Sequence, residues 1–377
     1  MDEIFRITDR FLIEGRGCVY MIYLAKDSVL RMEEILFDLQ GKRFRVKGFE
    51  MVRRLPGGRN GAEMPVGVML EAMEGVEAAG NILVREVSDI NFIFCNHPLY
   101  PERVDEDYES EYQEAGREHP CALFSYEDLE QGKLTLYGEK ISGLTVYRGW
   151  MMKPEMYREF YRRLEAEGIF LINTPEEYEK YHLLPGWYQD FEGKTPDTVW
   201  TETPDPDEIL WKAKLEAGPF IVKDYVKSRK HEWYDACYIP KLSDRDLARK
   251  IIRNFVSRQA ESLVGGLVLR KYENLRQIGF HPQSGMPVSE EYRVFIYAGR
   301  VLIIDSYWTE QHEVRLSPGE LEWIDAIASQ IRSNFVTLDL ARKADGGLIV
   351  MELGDGQVSG LQQIAAEDFY GAFWGRK

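Results

Sequence analysis

The sequence predicts a multidomain chain of mixed class, α/β and α+β. It divides into a small β-barrel over residues 1–85, an α/β layer over 90–182 and a further domain over 183–377. Three observations carry this reading. Residues 1–85 hold short apolar runs at close spacing, broken by glycine turns, the pattern of a small barrel. Residues 90–182 alternate strand and helix signals, which argues a parallel layer. From Leu210 onward, strands, amphipathic helices and two hairpins mix in α+β order. With 377 residues there is enough chain for two or three domains and a large core.

The elements follow in order. Barrel strands are expected at Phe11 to Ile13, Cys18 to Leu24, Leu36 to Asp38, Phe44 to Val52 and Val66 to Leu70, with turns at Gly15, Gly17, Gly41-Lys42 and Pro56-Gly57-Gly58. The second segment opens with an apolar strand, Ile90 to Cys95, then a charged helix, Val104 to Glu118. Strands at Ala122 to Phe124 and Leu144 to Tyr147 follow. Pro154 starts a helix running to Glu167, with Tyr157, Phe160, Tyr161 and Leu164 on one face and Gly168 past its end. Ile169 to Ile172 is the next strand. Residues 186–210, rich in Pro, Asp and Thr, read as a connecting or lid segment. Beyond them come a strand at Phe220 to Tyr225, a helix from Asp244 to Ser257 and a strand at Leu267 to Tyr272. A hairpin then turns at Ala298-Gly299, and Ser317, Pro318 and Glu320 make a capped helix start.

Composition excludes several functions. The net charge of −16 argues against non-specific binding to DNA or to an anionic membrane. There is no long apolar run, and the N-terminal stretch is charged from its second residue, unlike a signal peptide. The four cysteines are widely spaced and the six histidines show no ligand spacing, so neither a zinc site nor a disulfide framework is indicated. A reduced, soluble, cytoplasmic protein is expected.

The strongest local signal is the late hairpin FVTLDLARKADGGLIVMELGDG. If Asp345-Gly346 is a two-residue turn, Ala344 faces Gly347 and, counting outward, Asp339 faces Glu352. Two opposed carboxylates repel, and a cation between them removes the cost. Mg²⁺ takes one or two protein carboxylates together with phosphates. Taken alone, the hairpin fits a nucleotide–metal site and an exposed polar sheet face equally well. Upstream, PFIVKDYVKSRKHEW puts Lys223 inside an apolar strand, followed by Lys227, Arg229 and Lys230. Four cations within eight residues of an acidic chain imply a local anion, and phosphate is the common one. LVLRKYENL ends a strand in Arg270, Lys271, Tyr272 and Glu273, which can meet an adenine edge and a ribose hydroxyl. Arg293 sits mid-strand, where it can stabilise transferring charge.

Taken in order, these pieces resemble an ATP-grasp domain, with the resemblance covering about residues 90–377 and including an α/β domain before the nucleotide fold. Segments 146–157 and 173–188 resemble a divergent ATP-grasp clade. The resemblance implies a carboxylate–amine ligase that uses ATP and Mg²⁺, forms an acyl phosphate, makes an amide bond and releases ADP and phosphate. It implies that Lys223 holds the α- and β-phosphates, that Lys227, Arg229 and Lys230 close over them, and that residues 270–273 line adenine and ribose. Asp339 and Glu352 would hold the metal and Arg293 would stabilise the transferred group. Arg148 would clamp the substrate carboxylate. Three features depart from the family pattern. The phosphate loop is not glycine-rich. The Glu-x-Asn metal pair is Glu352-Leu353-Gly354, leaving Asp355 or water as third ligand. The family's earlier lysine has Lys180 as its nearest candidate, with Arg148 and His182 as alternatives. The order of strands in residues 1–85 resembles the second-domain barrel of translational GTPases, but no GxxxxGK[ST] loop is present. Lys343-Ala344-Asp345-Gly346 matches the KxDG string of polynucleotide ligases, yet the arginine that family places after it is Leu348 here.

The carboxylate and amine could each be a small molecule, a peptide or a protein tail. The alternative is an ATP-binding regulatory or sensor protein with a degenerate site and a barrel that docks a protein partner. Phosphate transfer to a non-carboxylate acceptor is a second enzymatic alternative.

Overall fold

The structure, a computed structural model, describes residues 4–14, 17–24, 28–50, 64–75, 77–78, 80–86, 90–213, 218–309 and 314–373. The expected turns at Gly15 and Pro56-Gly57-Gly58, and the end of the strand expected to reach Val52, lie outside these residues.

The first six strands are β1 (Ile4–Ile13), β2 (Gly17–Leu24), β3 (Ile35–Asp38), β4 (Arg43–Glu50), β5 (Met64–Ala72) and β6 (Ile82–Val84). They close a barrel in the order β1-β2-β5-β4-β3-β6. Period-two alternation explains the closure. On β4, Phe44 and Val46 point into the core with Phe5, Ile22 and Leu36, while Arg43, Arg45 and Lys47 face outward toward Glu74, Glu71 and Glu33. The first strand starts well before the expected Phe11, because its inward residues Phe5 and Ile7 alternate with Arg6 and Thr8 and hide the apolar signal.

The α/β layer contains β7 (Asn91–His97), β8 (Tyr100–Val104), β9 (Cys121–Phe124), β10 (Leu136–Gly138), β11 (Gly143–Arg148) and β12 (Ile169–Leu171). Their order is β10-β9-β7-β11-β12, with β8 on β7. β7 pairs in parallel with β9 and β11, and β11 with β12, while β10 runs antiparallel to β9. The helix expected from Val104 is corrected. Residues up to Val104 continue as β8, Asp105 caps a 3-10 turn, and the α-helix is only Glu109–Ala115. The helix Pro154–Ala166 buries Tyr157, Phe160 and Leu164 completely, as its spacing predicts.

The segment 186–210, expected to connect or to act as a lid, is built from regular elements. It holds the helix Leu184–Trp187, strand β13 (Thr198–Trp200) and the helix Pro206–Lys212, with Trp187 and Phe191 buried. β13 joins β14 (Phe220–Lys223), β15 (Tyr238–Ile239) and β16 (Val268–Lys271) in the order β13-β16-β14-β15, backed by the helix Arg245–Gln259. After the small hairpin β17 (Gln277–Phe280) and β18 (Pro287–Ser289), a second sheet runs β20-β19-β21-β22. Its strands are β19 (Glu291–Tyr297), β20 (Arg300–Ser306), β21 (Phe335–Arg342) and β22 (Leu348–Asp355). Ser317 and Glu320 form the expected reciprocal cap on the helix Pro318–Ala328.

One core cluster ties these layers together, joining Ile82 and Val84 of the barrel, Phe92 and Phe94 of β7, and Phe295, Phe335 and Phe369 from the C-terminal half. Arg148 sits within it and is fully buried. The expectation that it clamps a substrate carboxylate is corrected. Its Nε and Nη2 donate to the Glu111 carboxylate at 2.8 and 3.0 Å, its Nη1 donates to the Gly356 carbonyl, and Tyr370 donates to Glu111. Its guanidinium lies 5.2 Å from the Phe369 ring. Every nitrogen of the guanidinium is therefore engaged within the protein. Arg148→Met should cost about 3–5 kcal/mol in chemical denaturation, because the Glu111 charge is left buried without its partner. Adding Glu111→Leu should recover most of that loss.

Candidate active site

A cleft of about 270 Å³ lies between the loop that follows β14 and the sheet β20-β19-β21-β22. β14 contributes Lys223, which is 5% exposed, and its Nζ donates to Glu352 Oε1 on β22 at 2.7 Å. These residues are 129 positions apart, and the bond bridges the two sheets. Burial opposes ionisation of Glu352, but Lys223, aided by Lys230 and Arg270, outweighs it and holds the carboxyl below its usual range. Next to it, Arg293 of β19 grips Asp339 of β21 with two bonds, at 2.8 and 2.7 Å. The predicted juxtaposition of Asp339 with Glu352 is present, though their mutual repulsion is relieved by the protein's own cations.

That register arises differently from the two-residue count. Lys343 and Gly347 close a three-residue loop, Ala344-Asp345-Gly346, with Gly346 at φ +101°. Arg342 therefore faces Leu348 and Leu340 faces Val350. A bulge between Leu340 and Asp339 then shifts the ladder by one residue, so that Asp339 pairs with Glu352 after all.

The loop after β14 is built without glycine. Asp224 is fully buried, and its Oδ1 accepts the backbone N–H of Val226 and Lys227. Its other oxygen accepts from Gln259 and from the Val264 N–H. This carboxylate holds the turn in shape. Lys227 and Lys230 line the cleft, and the Lys230 ammonium lies 5.7 Å from the Tyr307 ring and 5.8 Å from Trp308. Arg229 points elsewhere and ties the loop to Glu232 and Gln259.

The remaining expected residues disperse. Arg270 is buried beneath the cleft, bonded to the Met351 carbonyl and Thr195 and stacked over Trp187. Lys271 is exposed and pairs with Asp197; Tyr272 packs on Trp233 and Tyr238; Glu273 follows, half-buried. Lys180 is at the surface in an ion pair with Asp190, not in the cleft. Asp355 is also corrected. Strand alternation turns it to the face opposite Glu352, where Asn173 and Gln357 donate to it and burial pushes its carboxyl up to about 7. Among the described residues no cluster of three or more His, Cys, Asp or Glu could hold a metal alone.

Sequence reasoning did not single out Glu291, Tyr307 or Asp224. Glu291 is buried two positions from Arg293 on β19, the same-face spacing that could have signalled it. Tyr307 lines the cleft with its ring 4.9 Å from the Arg293 guanidinium.

Against known proteins, residues 212–374 match a family model described as an ATP-grasp domain, family 3 of its clade. Solved structures resemble the chain more distantly. A RimK domain protein ATP-grasp from Sphaerobacter thermophilus is 13% identical, with 75% of this chain and 100% of that one covered and a TM-score of 0.48. D-alanyl-alanine synthetase A from Vibrio cholerae is 13% identical, with coverages of 77% and 94% and a TM-score of 0.48. The ATP-grasp ligase PsnB, complexed with a variant of its minimal precursor, Mg and ADP, is 15% identical, with coverages of 76% and 98% and a TM-score of 0.47. No curated protein matches.

His182 yields a pH prediction. It lines the cleft, is 5% exposed, and its Nδ1 is buried without a partner. Burial, with Lys227 and Lys223 and against Glu352, pushes it down to about 4 from 6.5. Between those values the unfolded chain binds more protons, so stability falls as pH falls. Relative to His182→Gln, the wild type should lose up to about 3 kcal/mol between pH ~6.5 and ~4 in denaturant titrations.

Proposed function

Residues 212–374 form an ATP-grasp domain, and from that premise we propose that the protein is an ATP-dependent ligase joining a carboxylate to an amine. The single observation that supports this most is the grouping of Arg293, Asp339 and Glu352 on one wall of the cleft, with Lys223 reaching Glu352 from the other sheet. ATP enters as a substrate. Lys223 swings from Glu352 to the α- and β-phosphates, and Lys227 and Lys230 neutralise the outer phosphates. Asp339 and Glu352 supply hard oxygen donors that fit Mg²⁺, whose remaining ligands would be phosphate and water. Such an ion, when bound, would neutralise developing charge on the phosphates.

The carboxylate oxygen then attacks the γ-phosphorus, the bond to the bridging oxygen breaks, and ADP leaves with the electron pair. Arg293, which donates to Asp339 and the Gly360 carbonyl and lines the cleft, would meet charge on the transferred group through its net positive charge. The amine next attacks the acyl carbon, phosphate departs, and the nitrogen loses its proton to solvent, leaving an amide. A second reading is favoured by one feature: both carboxylates already carry a protein cation. A nucleotide sensor with a partner-docking barrel could retain that arrangement without turnover.

Calorimetry with Mg²⁺ and ATP tests the site. Wild type should bind, while Lys223→Ala should bind roughly ten- to a hundredfold more weakly. Asp339→Asn combined with Glu352→Gln should remove the Mg²⁺ dependence and lower the melting temperature, and the titration is run at a temperature where circular dichroism shows the variant folded. Binding that ignores these substitutions would sink the assignment. ADP release on addition of an acid and an amine separates the ligase from the sensor.

A further inference from the structure

A second cavity of about 420 Å³ adjoins the nucleotide cleft and shares Met151 and Lys227 with it. Its other walls are Tyr108, Tyr126, Trp150 and Val358. Its position follows from topology. β7 has β9 on one side and β11 on the other, all three parallel, so the chain reverses its winding direction at β7. Open parallel sheets take ligands outside the carboxyl ends of the strands at such a point. Tyr126 stands two residues beyond the end of β9, and Trp150 two residues beyond the end of β11.

The lining has a defined chemistry. Tyr108 and Trp150 meet edge to face, with ring centres 5.8 Å apart at 87°. Tyr126 donates to the Met151 carbonyl at 3.1 Å, and Trp150 Nε1 reaches Asp105 at 3.4 Å, so both rings are oriented. Three aromatic faces with Met151 and Val358 favour a flat apolar group. An ammonium ligand would also suit aromatic faces, but no carboxylate lines the cavity and the Lys227 cation stands at its junction with the cleft. Among the described residues no carboxylate forms an ion pair with Lys227, so in the ligase reading its charge faces the outer phosphates on one side and an incoming carboxylate on the other.

We infer that this cavity seats the carboxylate substrate, and that the acid it takes carries an aromatic side group. The ring lies between Tyr108, Tyr126 and Trp150 while the carboxylate reaches Lys227 at the edge of the nucleotide cleft. This deepens the ligase reading and rests on it for the role of the acid. The volume falls within the range of small-molecule sites and is large enough for an aromatic amino acid or the terminal residue of a peptide.

The test is calorimetry on the full-length protein with Mg²⁺ and a non-hydrolysable ATP analogue, using N-acetyltryptophan as probe. N-acetyltryptophan should bind. N-acetylalanine, N-acetyltryptophanamide and tryptamine should each bind roughly tenfold or more weakly, since each lacks the ring, the negative charge or the right sign of charge. Trp150→Ala should weaken the probe by a similar factor and leave the analogue's affinity unchanged; Tyr126→Leu serves as the second variant if the first does not fold. Equal affinity for the two acids, a preference for tryptamine, or variants that bind as well as wild type would overturn the pocket assignment. If the analogue itself fails to bind, the nucleotide reading falls instead. The acid is then titrated alone: binding that Trp150→Ala removes upholds the pocket, and absent binding overturns it.

Discussion

The Lys223–Glu352 bond is the constraint on which the C-terminal half depends. It joins the two sheets at their facing surfaces, and neither charge could lie there alone without a large desolvation cost. Arg293 and Asp339 repeat the solution beside it. The cleft beside these pairs is lined by charges of both signs, Lys227, Lys230 and Arg293 with Asp339 and Glu352. In the ligase reading, nucleotide entry is an exchange of partners: the cation turns to phosphate and the carboxylate to the metal. No new charge has to be desolvated without a partner.

The loop after β14 reaches an ordered shape by a different route from a glycine-rich one. Glycine loops present backbone N–H groups because nothing blocks their φ angles. Here Asp224 consumes the N–H groups of Val226 and Lys227, so the backbone there is already satisfied. What the loop presents to the cleft is side-chain charge, from Lys227 and Lys230. That substitution accounts for a basic run in an otherwise acidic chain.

What was legible in the sequence was local. Helix starts with Pro and a reciprocal Ser–Glu cap, the apolar face of Pro154–Ala166 and the barrel's short alternating strands all follow from neighbours in the chain. The Asp339–Glu352 pairing was reached by a count that needed two offsets to cancel, a longer turn and a bulge, neither of which leaves a clear residue signal. The misplacements share one cause. Arg148, Asp355 and Arg270 look like reactive charges on strands, yet their partners Glu111, Asn173 and the Met351 carbonyl lie 37 to 182 residues away. Only the folded chain decides whether a strand-end charge meets a ligand or its own protein. Likewise residues 186–210 look like a linker by composition, but Trp187 and Phe191 anchor them in the core.

The cluster that holds Phe92 and Phe94 is completed by Phe369 and Tyr370 from the helix Ala366–Phe373. During synthesis the α/β layer emerges long before that helix does. Domains generally fold as they emerge, N-terminal first. Here the layer is left with one aromatic face uncovered until the remainder of the chain has been made and has looped back. The barrel can close early from its own strands, whereas the α/β layer must wait, and in the interval it exposes the kind of surface that chaperones bind. On that order of synthesis the helix would be a late closing step, tying the maturation of the layer to the completion of the C-terminal sheets.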